Sequence, residues 1–127
     1  MMKKIFLLLI LPINLILAQG HDQIQLANEY FQQGDLEKAK FIYEELAANP
    51  YNMQLISTNY VSLLKSIKEF SSAEKFLQKA IKTFPSNTQF KSSLAAVYSE
   101  SGNYDKLDSY IKNLRKDSRS NPFQLSV

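Results

Sequence analysis

From residue 22 onward, apolar residues return at intervals of three and four, the spacing that gathers them on one side of a helix. Asp22 to Gln33 carries Ile24, Leu26, Ala27, Tyr30 and Phe31 in that rhythm. Gly34 ends the run, because a residue without a side chain enters the left-handed cap conformation at little cost. Asp35 is placed to cap a second helix, whose stripe is Leu36, Ala39, Tyr43 and Leu46 and which closes at Asn49-Pro50. A third helix is predicted from about Met53 to Ser66, and a fourth from Phe70 or Ser71 to Phe84, where Pro85 stops it. No glycine separates these two, and Ser71-Ser72-Ala73-Glu74 has the form of a capping box. The last pair is predicted over Thr88 to Ser101 and Tyr104 to Lys116, turning at Gly102-Asn103, where both residues tolerate positive φ. Six helices in three hairpins account for the pattern, and no strand is required.

The hairpins are copies of one another. A shift of 34 residues carries Tyr30 onto Leu64 and Tyr98, Gly34 onto Lys68 and Gly102, Leu36 onto Phe70 and Tyr104, and Ala39 onto Ala73 and Leu107. Ala27, Val61 and Ala95 share that frame, as do Tyr43, Leu77 and Ile111. Tyr30, Tyr43, Tyr60, Phe70, Phe76, Tyr98 and Tyr104 stand at helical spacing and are read as core rather than as a stacking platform for a cofactor or a base.

This periodicity, with G-D-L-E-K-A-K-F-I-Y-E-E-L-A in the first copy and A-E-K-F-L-Q-K-A-I-K-T-F-P in the second, resembles the tetratricopeptide repeat over about Gly20 to Lys116. The resemblance implies an all-α, right-handed superhelical stack of three hairpins, over about 20–53, 54–87 and 88–117. Ala27, Ala39, Ala73 and Ala95 occupy the family's small positions, where paired helices approach closely, while Val61 and Leu107 depart from them.

It also implies that the first helices of successive hairpins line a groove for a protein or peptide. In register, that groove holds His21, Ile24, Gln25, Asn28, Phe31 and Gln32, then Leu55, Thr58, Asn59, Ser62, Lys65 and Ser66, then Gln89, Ser92, Ser93, Ala96, Ser99 and Glu100. The lining is polar, small and rich in amides, suited to hydrogen-bonding an extended chain. One subclass of the family clamps a terminal carboxylate with two asparagines and three cations. Asn28 and Asn59 match the asparagines, but Ile24, Gln89 and Ser93 stand where cations belong, so that clamp is rejected.

Charge and composition narrow the chemistry further. Met1 to Lys4 is a short basic start, Ile5 to Leu17 an apolar run broken by Pro12 and Asn14, and Ala18-Gln19-Gly20 a small-residue exit. This is the form of a secretory signal peptide, with cleavage expected after Ala18 and residues 1–18 removed. Setting Lys3 and Lys4 aside leaves thirteen basic against twelve acidic residues, too even a balance to argue for a nucleic-acid partner. With no cysteine and one histidine, the chain has neither disulfides nor a thiolate site, and no lipid attachment through cysteine. No nucleophile with its base, phosphate-cradling loop or metal set emerges, so no cofactor and no enzymatic activity are expected.

Asn121-Pro122-Phe123-Gln124-Leu125-Ser126-Val127 falls where a fourth hairpin would begin, so residues 118–127 are read as a tail or the start of a further repeat. The chain thus resembles the N-terminal part of a longer exported bacterial protein of this family. The reading is an exported, periplasmic or extracellular scaffold that meets the membrane only through its leader. Alternatives are the non-catalytic array of a larger enzyme, or a module that self-associates through Leu107, Ile111 and Leu114 of its last hairpin.

Overall fold

A computed structural model describes residues 20–120, so the proposed leader and the last seven residues lie outside the described region. Helix α1 spans 20–33, α2 Leu36–Ala47, α3 Met53–Ser66, α4 Phe70–Thr83, α5 Thr88–Glu100 and α6 Tyr104–Ser120. A single 3-10 turn, Pro50–Asn52, precedes α3. The architecture is all-α and built of paired helices like those of the tetratricopeptide repeat, with no strand among the described residues. The chain forms two compact units, one through Leu63 and one from Leu64, with the boundary inside α3.

The 34-residue period is written most plainly in the backbone. In the first turn the Asp35 N–H donates to the Tyr30 carbonyl at 2.9 Å and the Gly34 N–H to the Phe31 carbonyl at 3.1 Å. Glu69 to Leu64 (2.8 Å) and Lys68 to Lys65 (3.0 Å) repeat the pair, and Asn103 to Tyr98 (3.0 Å) with Gly102 to Ser99 (3.1 Å) repeat it again. Each is the six-to-one and five-to-two arrangement of a Schellman cap, which satisfies helix-end carbonyls through one left-handed residue. That residue is Gly34 (φ 81°), Lys68 (φ 61°) and Gly102 (φ 75°) in turn.

The turn at Lys68 departs from the sequence expectation. Helix α4 starts at Phe70, so Ser71 lies inside it and the expected capping box does not form. Glu69 holds the cap position without a side-chain cap bond, and its carboxylate accepts from the Ser72 hydroxyl at 3.5 Å. The third turn also differs. Gly102 alone takes positive φ there, while the Asn103 side chain accepts from the Lys106 N–H at 3.3 Å and so starts α6. Asp35 caps α2 as expected, accepting from the Lys38 N–H at 3.5 Å, and Asn87 starts α5 by accepting from the Gln89 N–H at 3.1 Å. Helix α2 ends at Ala47 and α4 at Thr83, before Asn49 and Phe84. Helix α6 continues past Lys116 to Ser120, taking in the first residues read as tail.

In the first unit Ala27, Ala39, Tyr43 and Ile56 have no exposed surface, and Met53, Tyr60, Val61 and Leu63 are buried with them. In the second, Leu64, Ala73, Leu77 and Ala80 are fully enclosed beside Phe76, Phe90, Leu94, Val97 and Tyr98. Burial of Ala39 and Ala73 at equivalent places is what paired helices at close approach require. Ala95 and Leu107 are half-buried. Three expected core aromatics are less enclosed. Tyr30 and Phe70 are half-buried, and Tyr104, at the start of α6, is 63% exposed.

Candidate peptide-binding face

The residues expected to line a groove are described separately in each unit. In the first, the Tyr43 hydroxyl of α2 donates to the side-chain oxygen of Asn28 on α1. The Asn59 amide of α3 donates to the same oxygen at 2.9 Å. One carbonyl oxygen thus ties three helices, and the Tyr43 and Tyr60 rings lie 5.6 Å apart alongside it. Burial pushes the Tyr43 hydroxyl above its usual pKa, and a bond with Asn59 works in the opposite direction.

Asn28 and Asn59 are therefore brought together, as the register implies, but their contact is structural. Around them Ile24, Phe31 and Ser62 are half-buried, while His21, Gln25, Gln32 and Thr58 are open to solvent. Leu55 is 69% exposed and stands four residues after Tyr51, which is 84% exposed. Sequence reasoning passed over Tyr51 because it lies in the short turn, outside the helical frame.

In the second unit, Lys65 meets Glu100 at 3.0 Å, so the candidate lysine is neutralised within the protein. Gln89, Ser92 and Ser99 are exposed and Ser93 and Ala96 half-buried. The Ser92 hydroxyl donates back to the Thr88 carbonyl at 3.3 Å. What remains presented is short polar side chains without an unpaired cation among these positions, a surface fit for backbone hydrogen bonds rather than for capture of a charged terminus.

Two further surfaces had no signature in the sequence. On the first unit, Leu26, Tyr30, Phe41 and Ile42 line a shallow cavity of about 420 Å³, rimmed by Glu37 and Lys38. The Lys38 ammonium lies 5.2 Å from the Tyr30 ring centre and 2.9 Å from the Asp35 carboxylate, which it holds below its ordinary pKa. On the second, a cavity of about 550 Å³ is bounded by Ile81, Pro85, Leu94, Tyr98, Tyr110 and Leu114, with Lys82 and Lys91 beside it. The Tyr98 hydroxyl donates to Glu74 at 2.9 Å, and Glu74 also takes the Lys106 ammonium at 3.1 Å. The Tyr98 and Tyr110 rings meet edge to face at 5.7 Å, and the buried Tyr110 hydroxyl has no hydrogen-bond partner.

Among the described residues no group of histidine, cysteine, aspartate or glutamate is placed to hold a metal ion, and no helix is long and apolar enough to cross a membrane. Residues 23–48 match the family model of the tetratricopeptide repeat, which covers the first hairpin. No curated protein matches the chain.

Proposed function

We propose that the chain is an exported, non-catalytic scaffold that binds an extended peptide or protein segment in the bacterial envelope, as part of a longer protein of the same repeat. The match at residues 23–48 supports a protein-interaction scaffold of tetratricopeptide type. The observation that carries the binding reading is the Asn28 junction, which fixes α1, α2 and α3, while Gln25 and Gln32 on α1 and Leu55 and Thr58 on α3 are exposed. A rigid polar face with one exposed apolar residue suits a partner that brings backbone groups and an aliphatic anchor. The signal-like residues 1–18 support export.

Selection of peptides from a random library on the purified chain tests the binding face. Enriched peptides are expected to lose binding with Leu55→Glu or Thr58→Glu, both at exposed places. Peptides indifferent to both variants would remove this face from consideration. Export is tested separately by expression in a Gram-negative host. A chain beginning at Gln19 in the periplasm or medium is expected, and an intact N-terminus in the cytoplasm would refute it.

A further inference from the structure

The cleft bounded by α4, α5 and α6 has walls that the repeat itself does not call for. Ile81 of α4 and Leu114 of α6 line it and are half-buried, and Leu94 of α5 lines it and is buried. In the frame of 34, Ile81, Leu94 and Leu114 correspond to Ala47, Tyr60 and Ala80. The earlier set combines one long side chain with two short ones. The later set puts a shorter side chain with two longer ones, and about 550 Å³ is left open among them. That volume is in the range of small-molecule sites. All three helices belong to one compact unit, and every lining residue is among those described.

The lining is graded along the cleft. Lys82, Pro85 and Lys91 stand around the turn from α4 to α5, and Asp117 lies near the end of α6. Gln78, Tyr98 and Tyr110 lie about one to two turns away along the same helices. Neither Lys82 nor Lys91 forms an ion pair with a described residue, whereas Asp117 has an interaction of its own. The turn end therefore carries two lysines against one aspartate. At the other end the Tyr98 hydroxyl is taken by Glu74, which also holds Lys106, and the Tyr110 hydroxyl is buried without a partner. That end offers ring surface, and aliphatic side chains lie between the two.

From this grading we propose that the cleft binds a free alkyl carboxylate of medium chain length, with its carboxylate at Lys82 and Lys91 and its chain along Ile81, Leu94 and Leu114. Apolar area removed from water supplies the attraction, and the lysines fix the orientation and the sign of charge accepted. An alkyl cation would bring its charge to two ammonium groups. A peptide backbone would lose its hydrogen bonds to water along aliphatic walls that return few. The proposal does not rest on the peptide-binding face of α1 and α3.

Titration of the full chain with decanoate below its micelle concentration, followed by amide NMR, tests it. Saturable shifts are expected at Gln78, Leu94 and Leu114, and decyltrimethylammonium is expected to bind there about tenfold more weakly. Lys82→Gln and Lys91→Gln are each expected to weaken decanoate about threefold while leaving decanol unchanged. Leu94→Tyr introduces the side chain of the equivalent position and is expected to abolish binding of decanoate and decanol alike. Should that variant lose its helical circular dichroism, the two lysine variants decide. No saturable shift at these amides, equal affinity for the alkyl cation, or lysine variants that bind decanoate as the parent does would overturn the proposal. Retention of the chain on phosphatidylglycerol vesicles without a response to decanoate would overturn it in favour of a lipid surface.

Discussion

Tyr43 donates its buried hydroxyl to the side-chain oxygen of Asn28, fifteen residues earlier and on the partner helix of the same hairpin. Asn59 donates to that oxygen as well, so a single acceptor fastens α1 to both α2 and α3. Replacing Asn28 by Ala leaves two donors short of their acceptor and is expected to cost about 1–2 kcal/mol in urea denaturation. The Asn28→Ala and Tyr43→Phe effects are expected to be less than additive in the double variant, because both delete one bond. Additive losses would show that the two side chains contribute separately.

Ala39 and Ala73 have no exposed surface at equivalent places in successive hairpins. Ala39→Leu or Ala73→Leu adds volume where none is free, with an expected loss of about 1–3 kcal/mol. Thermal unfolding followed by circular dichroism measures it. A neutral result at both positions would mean that the helices are less closely set than the burial indicates.

Among the described residues, Lys68 is the one non-glycine with positive φ, and it holds the place that Gly34 and Gly102 take in the other turns. A side chain there carries a backbone penalty that glycine avoids. Lys68→Gly is expected to raise stability by up to about 1 kcal/mol, while Gly34→Ala and Gly102→Ala lower it by about the same amount. A Cβ at either glycine would meet nothing within 4 Å, so the cost is conformational rather than steric crowding. Chemical denaturation of the three variants tests the opposite signs.

Burial, reinforced by the bond to Glu74 and by its charge, pushes the Tyr98 hydroxyl up to about 12, above the value near 10 of an unfolded tyrosine. Between these values the folded state holds a proton that the unfolded chain releases. Its contribution is therefore complete below about pH 10 and is lost as pH rises toward 12. Stability measured across this window is expected to fall more steeply in the parent than in Tyr98→Phe. Parallel curves would detach the tyrosine from the alkaline transition.

Much of the fold is legible in the chain because hairpins of this kind are specified locally. Apolar spacing, Gly34, Gly102, Pro85 and the 34-residue frame suffice to place the helices, and the starts of α3, α5 and α6 fall where that pattern puts them. The second turn misleads because its left-handed residue is a lysine, so Ser71 offers itself as a cap while the backbone has already turned at Lys68. Tyr104 misleads differently: its helical position is that of core aromatics, yet it is 63% exposed, and local spacing does not distinguish the two. For the candidate face the limit is one of distance along the chain. Register brings Asn28 and Asn59 into one list, but nothing in it reveals that Tyr43 joins them, or that Lys65 is neutralised by Glu100. Those pairings arise only when separate helices meet.

That a lysine bends the chain as two glycines do, through the same pair of carbonyl bonds, separates route from residue. The path of the turn is imposed by the helices it joins, and the amino acid at its apex decides only how comfortably that path is held. Variants randomised at 34, 68 and 102 would consequently rank by melting temperature while keeping one outline. Inserting a single residue within one of the helices that follow would instead turn all positions beyond it by about 100° and dislodge its apolar side.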